Sequence, residues 1–358
     1  MHGKSHRKRR RAGGPTLRDV AAKAGVSPGT VSKVMNGSRS ISEATRRRVQ
    51  EAALEVGYVA APRGAAQLMG GYAAVISGRR VYPLSNSEFY QHVMIGIEDG
   101  LRAFGGYPLT QSVDGDDQSL EAVERLALNG AVRGFICVGC DVPQAVIDVL
   151  LRAGRPLVLV DHVDAQGAVD TVLSDGLGGG RLATEHLIQL GHRRIAFVGG
   201  PMDHAPLAER YHGFRLALAL HGLEPWHAEP ISAPGLFGFD LGCKAAEAIL
   251  ASDCRPTAVV AANDEVAVGL VRALRERGVN VPDDISIVGF DGCRVGEFVE
   301  PRLTTVRVAA QDMGKLAVAL LEGRIERPDR PAARHVTPVE LVVGGSTAPW
   351  SNSEHKSS

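Results

Sequence analysis

The chain has 358 residues, 44% hydrophobic and 22% charged, with 40 basic and 40 acidic side chains, an ordinary balance for a globular protein of two or three domains. It has no run of eighteen apolar residues, and the basic N-terminus MHGKSHRKRRRAGG is followed by no apolar stretch, so neither a membrane span nor a secretory leader is expected and the protein is expected in the cytoplasm. Five cysteines, an odd number in so long a chain, argue against a disulfide framework.

The even charge total conceals an asymmetry. Residues 1–70 hold 14 Lys and Arg against 4 acidic residues, whereas the remainder holds 26 against 36. A basic head on an acidic body suits a phosphate-binding module attached to a separate regulatory domain. Residues 1–14 read as a disordered basic arm, in which Arg7, Lys8, Arg9, Arg10 and Arg11 either touch a DNA backbone without specificity or are simply solvated.

From residue 15 the pattern becomes helical. Leu17, Val20, Ala21 and Ala24 fall at i, i+3, i+4 and i+7, Thr16 and Asp19 form a capping-box-like start, and Gly25 stops the helix. Ser27 as N-cap and Pro28 at the first helical position open a second helix, which turns Val31, Val34 and Met35 inward and closes at Gly37. Two short helices joined by a turn, the second showing small, hydrogen-bonding or cationic groups, suit a major groove. The candidate DNA contacts are Thr16, Ser27, Pro28, Gly29, Thr30, Ser32, Lys33 and Asn36. A plain helical hairpin with a polar face is the alternative, which the charge asymmetry disfavours. Ser42 caps a third helix, with Val49, Ala52, Ala53 and Val56 inward and Gly57 at its end; Arg46, Arg47 and Arg48 near its start are either backbone contacts or a solvated face. Residues 59–72, VAAPRGAAQLMGGY, read as a linker with a short helix over 63–69, too short to persist alone in water.

Beyond Tyr72, apolar runs alternate with amphipathic ones. AAVIS, GFICV, PLVLVD, RIAFVGG, AVVAAND and ISIVGFD suit strands covered on both faces, and helical stretches separate them, so the expected architecture is α/β and doubly wound with parallel sheets. About 270 residues is long for one such sheet, which predicts two lobes. Ligands bind beyond the carboxyl ends of strands in open α/β sheets, so Asp161, Asn263, Asp264 and Asp291, which end apolar runs, are candidates. Asp264 precedes a helix and reads at least as well as a cap, and Asp161 could order its own loop.

Catalytic motifs are missing. DGLGGGRLA lacks the last glycine of a dinucleotide fingerprint, with Arg181 in its place, and GxxxxGK[ST], GxSxG and HExxH do not occur. Cys137 and Cys140 form a CVGC at the end of an apolar run without a second ligand pair for zinc, so no metal, cofactor or enzymatic activity is expected.

The run TLRDVAAKAGVSPGTVSKVMNG followed by ISEATRRRVQEAALEVGY resembles the DNA-binding head of the lactose-repressor/galactose-repressor (LacI/GalR) family, and the likeness continues through SDGLGGGRLATEHLIQLGHRRIAFVGGP, ERYHGFRLAL, PTAVVAANDEVAVGLVRALRERGVNVPDDISIVGFD and PRLTTV. The resemblance implies a three-helix helix-turn-helix head over 15–58, a hinge over 59–72, a two-lobed periplasmic-binding-protein-like effector and dimerisation domain over 73–345, and a disordered tail over 346–358. It further implies a homodimer that binds a palindromic double-stranded DNA operator, most often as a repressor, under control of a small-molecule effector, commonly a carbohydrate. In the family a hinge leucine wedges into the minor groove, and Leu68 matches it, although Ala60-Ala61 stands where Pro-Asn is usual and the spacing from Tyr58 is one residue longer. Arg210 matches the family's ligand-anchoring arginine, and Phe89 and Phe237 its aromatic pocket positions, with plain core packing as their alternative. Crossings between the lobes are expected near 170–174, 301–306 and 335–339.

Overall fold

The computed structural model describes residues 16–35, 41–56, 71–78, 87–139, 141–164 and 166–350. The basic arm, Asn36, Gly37, Gly57, Tyr58, Leu68, Cys140 and almost all of the expected hinge lie outside these residues.

In the head, α1 (Leu17–Ala24), α2 (Pro28–Met35) and α3 (Glu43–Glu55) close on Val20, Ala21, Val31, Val34, Val49, Ala52 and Ala53. The start of α1 is fixed by the Asp19 carboxylate, which accepts the Thr16 N–H and hydroxyl at 2.7 Å each, and its end by Gly25 at φ 64°. Ser27 accepts the Thr30 N–H at 3.1 Å and so starts α2. The expected starts of the three helices, the end of α1 and the inward faces are borne out, while the expected stops at Gly37 and Gly57 and the side chain of Met35 lie outside the described residues.

The rest of the described chain forms two lobes. The first is built from β1 (Tyr72–Gly78), α4 (Glu88–Ala103), β2 (Tyr107–Val113), α5 (Asp117–Leu128), β3 (Val132–Val138), α6 (Gln144–Arg152), β4 (Leu157–Val160) and β5 (Asp170–Ser174). The second comprises α7 (Gly176–Gln189), β6 (Ile195–Val198), α8 (Ala205–Leu220), α9 (Gly238–Leu250), β7 (Ala258–Ala261), α10 (Asp264–Arg275), β8 (Ser286–Asp291), α11 (Val295–Phe298) and β9 (Thr304–Val308). The chain then returns as α12 (Ala310–Glu326) and β10 (Arg334–Thr337) to the first lobe and ends the second with β11 (Val339–Val342). The sheets run β10-β5-β4-β3-β1-β2 and β11-β9-β8-β7-β6. All pairs are parallel except β11 with β9, an antiparallel edge that the expectation of parallel sheets missed.

Four boundaries differ from expectation. The second crossing follows β9, at 308–310, because Thr304–Val308 still pairs with β8; it does not fall at 301–306. The first follows β5, at 174–176, since Asp170–Ser174 belongs to the first sheet. Tyr72, assigned to the hinge, begins β1. The expected disordered tail starts too early: Ser346 is fully buried and accepts the Thr304 N–H at 2.8 Å, the Trp350 N–H reaches the Leu190 carbonyl at 2.7 Å, and the Trp350 ring lies 5.8 Å from that of His192. Backbone groups at the starts of β8 and β9 explain this: the Ser346 hydroxyl donates to the Ile287 carbonyl and accepts the Thr304 N–H, the Ser346 carbonyl accepts the Ile287 N–H, and the Ala348 N–H donates to the Ser286 hydroxyl.

Three helix pairs cross through reciprocal glycines. A Cβ on Gly96 would strike the Gln311 carbonyl and one on Gly314 the Val93 carbonyl, joining α4 to α12; Gly180 with Arg210 and Gly213 with Leu177 join α7 to α8; Gly242 with Val266 and Gly269 with Phe239 join α9 to α10. The glycine-rich start of α7 is therefore a packing surface, with Gly179 seated on the Phe290 ring. The contact at Gly180 also fixes the backbone of Arg210. Gly180→Ala should lower the unfolding free energy in urea by about 1–3 kcal/mol through overpacking, whereas Gly130→Ala, where a Cβ meets open space, should stay within about 0.5 kcal/mol.

Candidate functional sites: an effector cleft and a DNA-facing helix

The carboxyl ends of β4, β7 and β8 converge between the lobes with the N-terminal part of α4 and the first turns of α8. Their side chains line a cleft of about 460 Å³, its open mouth included, and Phe89, Asp161, Arg210, Asn263 and Asp291 all contribute to it. Five of the six expected ligand residues are thus brought together from both lobes. Phe237 is not among the lining residues: it is half-buried at the N-terminus of α9, next to Gly238, which abuts the Glu265 carboxylate.

Asp161 and Asp291 are the only non-glycine residues at positive φ among the described residues, at 55° and 105°. A side chain pays roughly 1–2 kcal/mol for such a backbone, and here the strain turns two carboxylates off the ends of facing strands into one cleft. Asp161 is 5% exposed; its Oδ2 accepts the Tyr90 hydroxyl at 2.6 Å, and its Oδ1 is buried without a hydrogen-bond partner among the described residues. On the opposite lobe Arg210, 4% exposed, places Nη2 2.9 Å from Asp291 Oδ1, donates from Nη1 to the Ala262 carbonyl at 2.5 Å and stacks 3.9 Å from the centre of the Phe290 ring. The approach to Asp291 is an ion pair that leaves the carboxylate further acceptor capacity toward the cleft. A buried Asp161 oxygen without a donor among the described residues and the Asp291 carboxylate, both lining the cleft, suit a ligand rich in hydroxyl donors.

Burial pushes the Asp291 carboxyl up to about 7, with Arg210 opposing the rise and Asp161 and Glu265 adding to it. Asp161 is raised too, first by burial, against the pull of Arg210 and the Tyr90 hydrogen bond. Behind them Asp264, fully buried, accepts the Thr305 hydroxyl at 2.6 Å and the Cys293 N–H at 2.7 Å, bracing the loop that carries Asp291, and burial with the Asp291 charge lifts it to about 8. Asp264 is not the helix cap. Asn263 takes that part, accepting the Val266 N–H at 2.9 Å while lining the cleft.

Ser87, Tyr90, Pro206, Leu207, Glu265 and Cys293 complete the lining and were not singled out from sequence. The SEFYQ stretch did hold Phe89, and period 3.6 alone does not say that its neighbour Tyr90 also faces the cleft. Glu88 bridges the lobes, its carboxylate accepting the N–H of Arg294 at 2.8 Å and of Val295 at 3.4 Å, and Arg334 pairs with Glu209 across the same gap. The Cys137 thiol, fully buried, is pushed up to about 12, which suits packing and not redox chemistry.

In the head, Ser27, Pro28, Gly29 and Lys33 are exposed, Thr30 and Ser32 half-exposed, and Thr16 exposed at the start of α1. The Thr30 hydroxyl lies 2.9 Å from that of Ser27, so the cap and the candidate contact share one hydrogen-bonded pair.

Comparison with known proteins follows this division. The model for bacterial regulatory proteins of the lacI family matches residues 16–60, and that for a periplasmic binding protein-like domain matches 184–347. The ribose operon repressor of Escherichia coli (strain K12) is 32% identical over 333 residues, covering 92% of this chain and 99% of its own. A solved complex of the transcriptional regulator CelR with cellobiose is 32% identical with a TM-score of 0.70, covering 93% of this chain and 99% of that one. The lac repressor dimer bound to operator and the anti-inducer ONPF is 27% identical with a TM-score of 0.65, covering 94% and 100%.

Asp264 and Asp291 give the folded protein a proton affinity that the unfolded chain, with carboxyls near 3.8, lacks. The folded state therefore binds more protons, and stability falls as pH rises from about 4 to about 8. The histidines His162, His186 and His192, held low by burial, act oppositely near their ordinary 6.5. Between pH 7 and 8.5 the carboxyls dominate, and urea unfolding should show a decline of at most about 1.4 kcal/mol per pH unit for each proton. Asp264→Asn should flatten it, and an unchanged slope would assign the titration to another group.

Proposed function

The chain belongs to the LacI family of bacterial regulatory proteins, and we propose that it is a transcriptional repressor that binds a palindromic operator as a homodimer and is controlled by a sugar or sugar derivative held between its lobes. The observation that carries this reading is the pair of strained strand-end carboxylates, Asp161 and Asp291, aimed from opposite lobes into one cleft on a chain whose other end presents an exposed, basic helix-turn-helix. It acts by binding, not by catalysis.

In this reading α2 enters the major groove and reads bases with Thr30, Ser32 and Lys33, while Thr16, Ser27, Pro28, Gly29 and Asn36 fix its approach; Leu68 wedges into the minor groove between the half-sites. The effector donates hydroxyls to Asp161 Oδ1 and Asp291 Oδ1, Asn263 adds an amide, and Phe89 covers an apolar face. Because Asp161 and Asp291 belong to different lobes, a ligand that satisfies both favours one lobe arrangement, and this differential affinity is what shifts operator binding. The contacts of Glu88 and Arg334 across the gap are made or broken in the same motion.

Three measurements check the reading. Thr30→Ala should cost about 1–3 kcal/mol of operator affinity at one base position; equal weakening on every operator variant would make it a phosphate or structural contact. Leu68→Ala should lower preference for the operator over random DNA and leave effector affinity intact, whereas a parallel loss of effector binding would assign Leu68 to packing. In calorimetry against ribose, cellobiose and a wider sugar panel, Asp291→Asn and Arg210→Ala should bind the effector at least about tenfold more weakly while binding effector-free operator like the parent. Unchanged affinity in both variants would place the pocket elsewhere.

A further inference from the structure

The first lobe contains two arginine pairs withdrawn from solvent in part or in full, and among the described residues only one has an anion. Arg324 and Arg330 close on the fully buried Asp170, with Nη2 atoms at 2.9 and 2.7 Å from its Oδ2. The other pair is Arg133 and Arg155. Phe135 of β3 is in register with Leu157 of β4 in a parallel pairing, so two residues back Arg133 and Arg155 stand side by side where the two strands begin. Arg133 and Phe135 share one face of β3 by strand alternation. Arg155 reaches over that same face, its guanidinium 5.9 Å from the centre of the Phe135 ring and one N–H donated to the Val132 carbonyl.

Two like charges as cross-strand neighbours repel. Arg155 is only 7% exposed, and burial followed by the Arg133 charge pushes it down to about 10, with no carboxylate among the described residues to offset either. Nε of Arg155 and both Nε and Nη1 of Arg133 are buried donors without an acceptor among the described residues. Room exists beside Arg155: a solvent-open cleft of about 550 Å³ is bounded by Arg155 and Arg324 with Leu151, Gly154, Pro156 and Val169, Arg133 adjoining Arg155 from β3 without itself lining it.

We propose that Arg133 and Arg155 form a second ligand site, distinct from the effector cleft, that takes a small oxyanion of the phosphate class. Such an ion presents several acceptor oxygens to forked guanidinium donors and supplies the charge that Asp170 supplies to the other pair. Its position gives it a connection to the head. Arg133 lies against the backbone of Gly71, its Cγ 2.5 Å from where a Cβ would stand, so an ion that holds Arg133 also holds the residue at which the chain enters the lobe from the linker. The site does not depend on the identity of the effector or on the repressor reading.

The test uses the full chain in a buffer free of oxyanions, titrated with inorganic phosphate and, separately, with chloride at equal ionic strength. Calorimetry should find one phosphate per chain, and phosphate should raise the melting temperature beyond the chloride control. Arg133→Gln and Arg155→Gln should weaken phosphate binding about tenfold or more. Arg133→Glu should supply Arg155 with a built-in carboxylate, giving a variant that melts higher than Arg133→Gln in chloride and does not respond to phosphate. If Arg155→Gln fails to fold, the two variants at Arg133 decide. The proposal is overturned if phosphate acts on the parent no differently from chloride, if Arg133→Gln binds phosphate like the parent, or if Arg133→Glu melts below Arg133→Gln.

Discussion

The effector domain depends on keeping Arg210 and three carboxylates, Asp161, Asp264 and Asp291, out of water at the point where two sheets end. One guanidinium cannot satisfy all of them, so the site has surplus acceptor capacity and carboxyls held well above their ordinary range by burial. Much of the surrounding fold accommodates this arrangement. Phe290 supports the guanidinium from below, Ala262 gives it a carbonyl, Asn263 caps α10 so that Asp264 can brace the Asp291 loop, and Gly180 lets α7 approach the backbone of Arg210 itself. A stability cost at the cleft and ligand specificity are two consequences of the same burial.

In the proposed reading, division of the carboxylates between lobes turns binding into a conformational signal. Asp161 ends a strand of the first sheet and Asp291 one of the second, and the chain crosses between the sheets three times through short connections near 175, 309 and 338. Such connections permit a change of angle without unfolding either sheet, while the reciprocal glycine contacts keep each pair of helices locked within its own lobe. The basic head and acidic body fit this reading, because phosphate attraction is concentrated on one small module at the N-terminal side of the lobes.

Much of this was legible in the sequence, for identifiable reasons. Apolar runs ending in Asp or Asn marked β4, β7 and β8 and three of the cleft residues, since a strand buried on both faces has no polar residue until it emerges at a sheet end. Caps at Thr16 and Ser27 located the head helices because capping is local chemistry. What stayed hidden was tertiary. The polar, exposed edge strand YPLTQSV carries no burial signal; Asn263 and Asp264 compete for one cap, and only the depth of the Thr305–Cys293 loop decides between them. Ser346–Trp350 read as a polar tail because their partners lie up to about 160 residues earlier in the chain. Phe237 resembled a pocket aromatic by alignment, yet it stands half-buried at the N-cap of α9 and is not among the residues that line the cleft.

The central claim is that occupancy of the Asp161–Asp291 cleft and operator binding are thermodynamically linked, and reciprocity tests it most directly. With any sugar that binds the cleft, operator affinity is measured at zero and saturating sugar, and sugar affinity at zero and saturating operator, at one salt concentration. The account predicts the same factor from both titrations, about 5- to 150-fold, and its disappearance in Asp291→Asn. Operator affinity that stays constant while the cleft fills would contradict it.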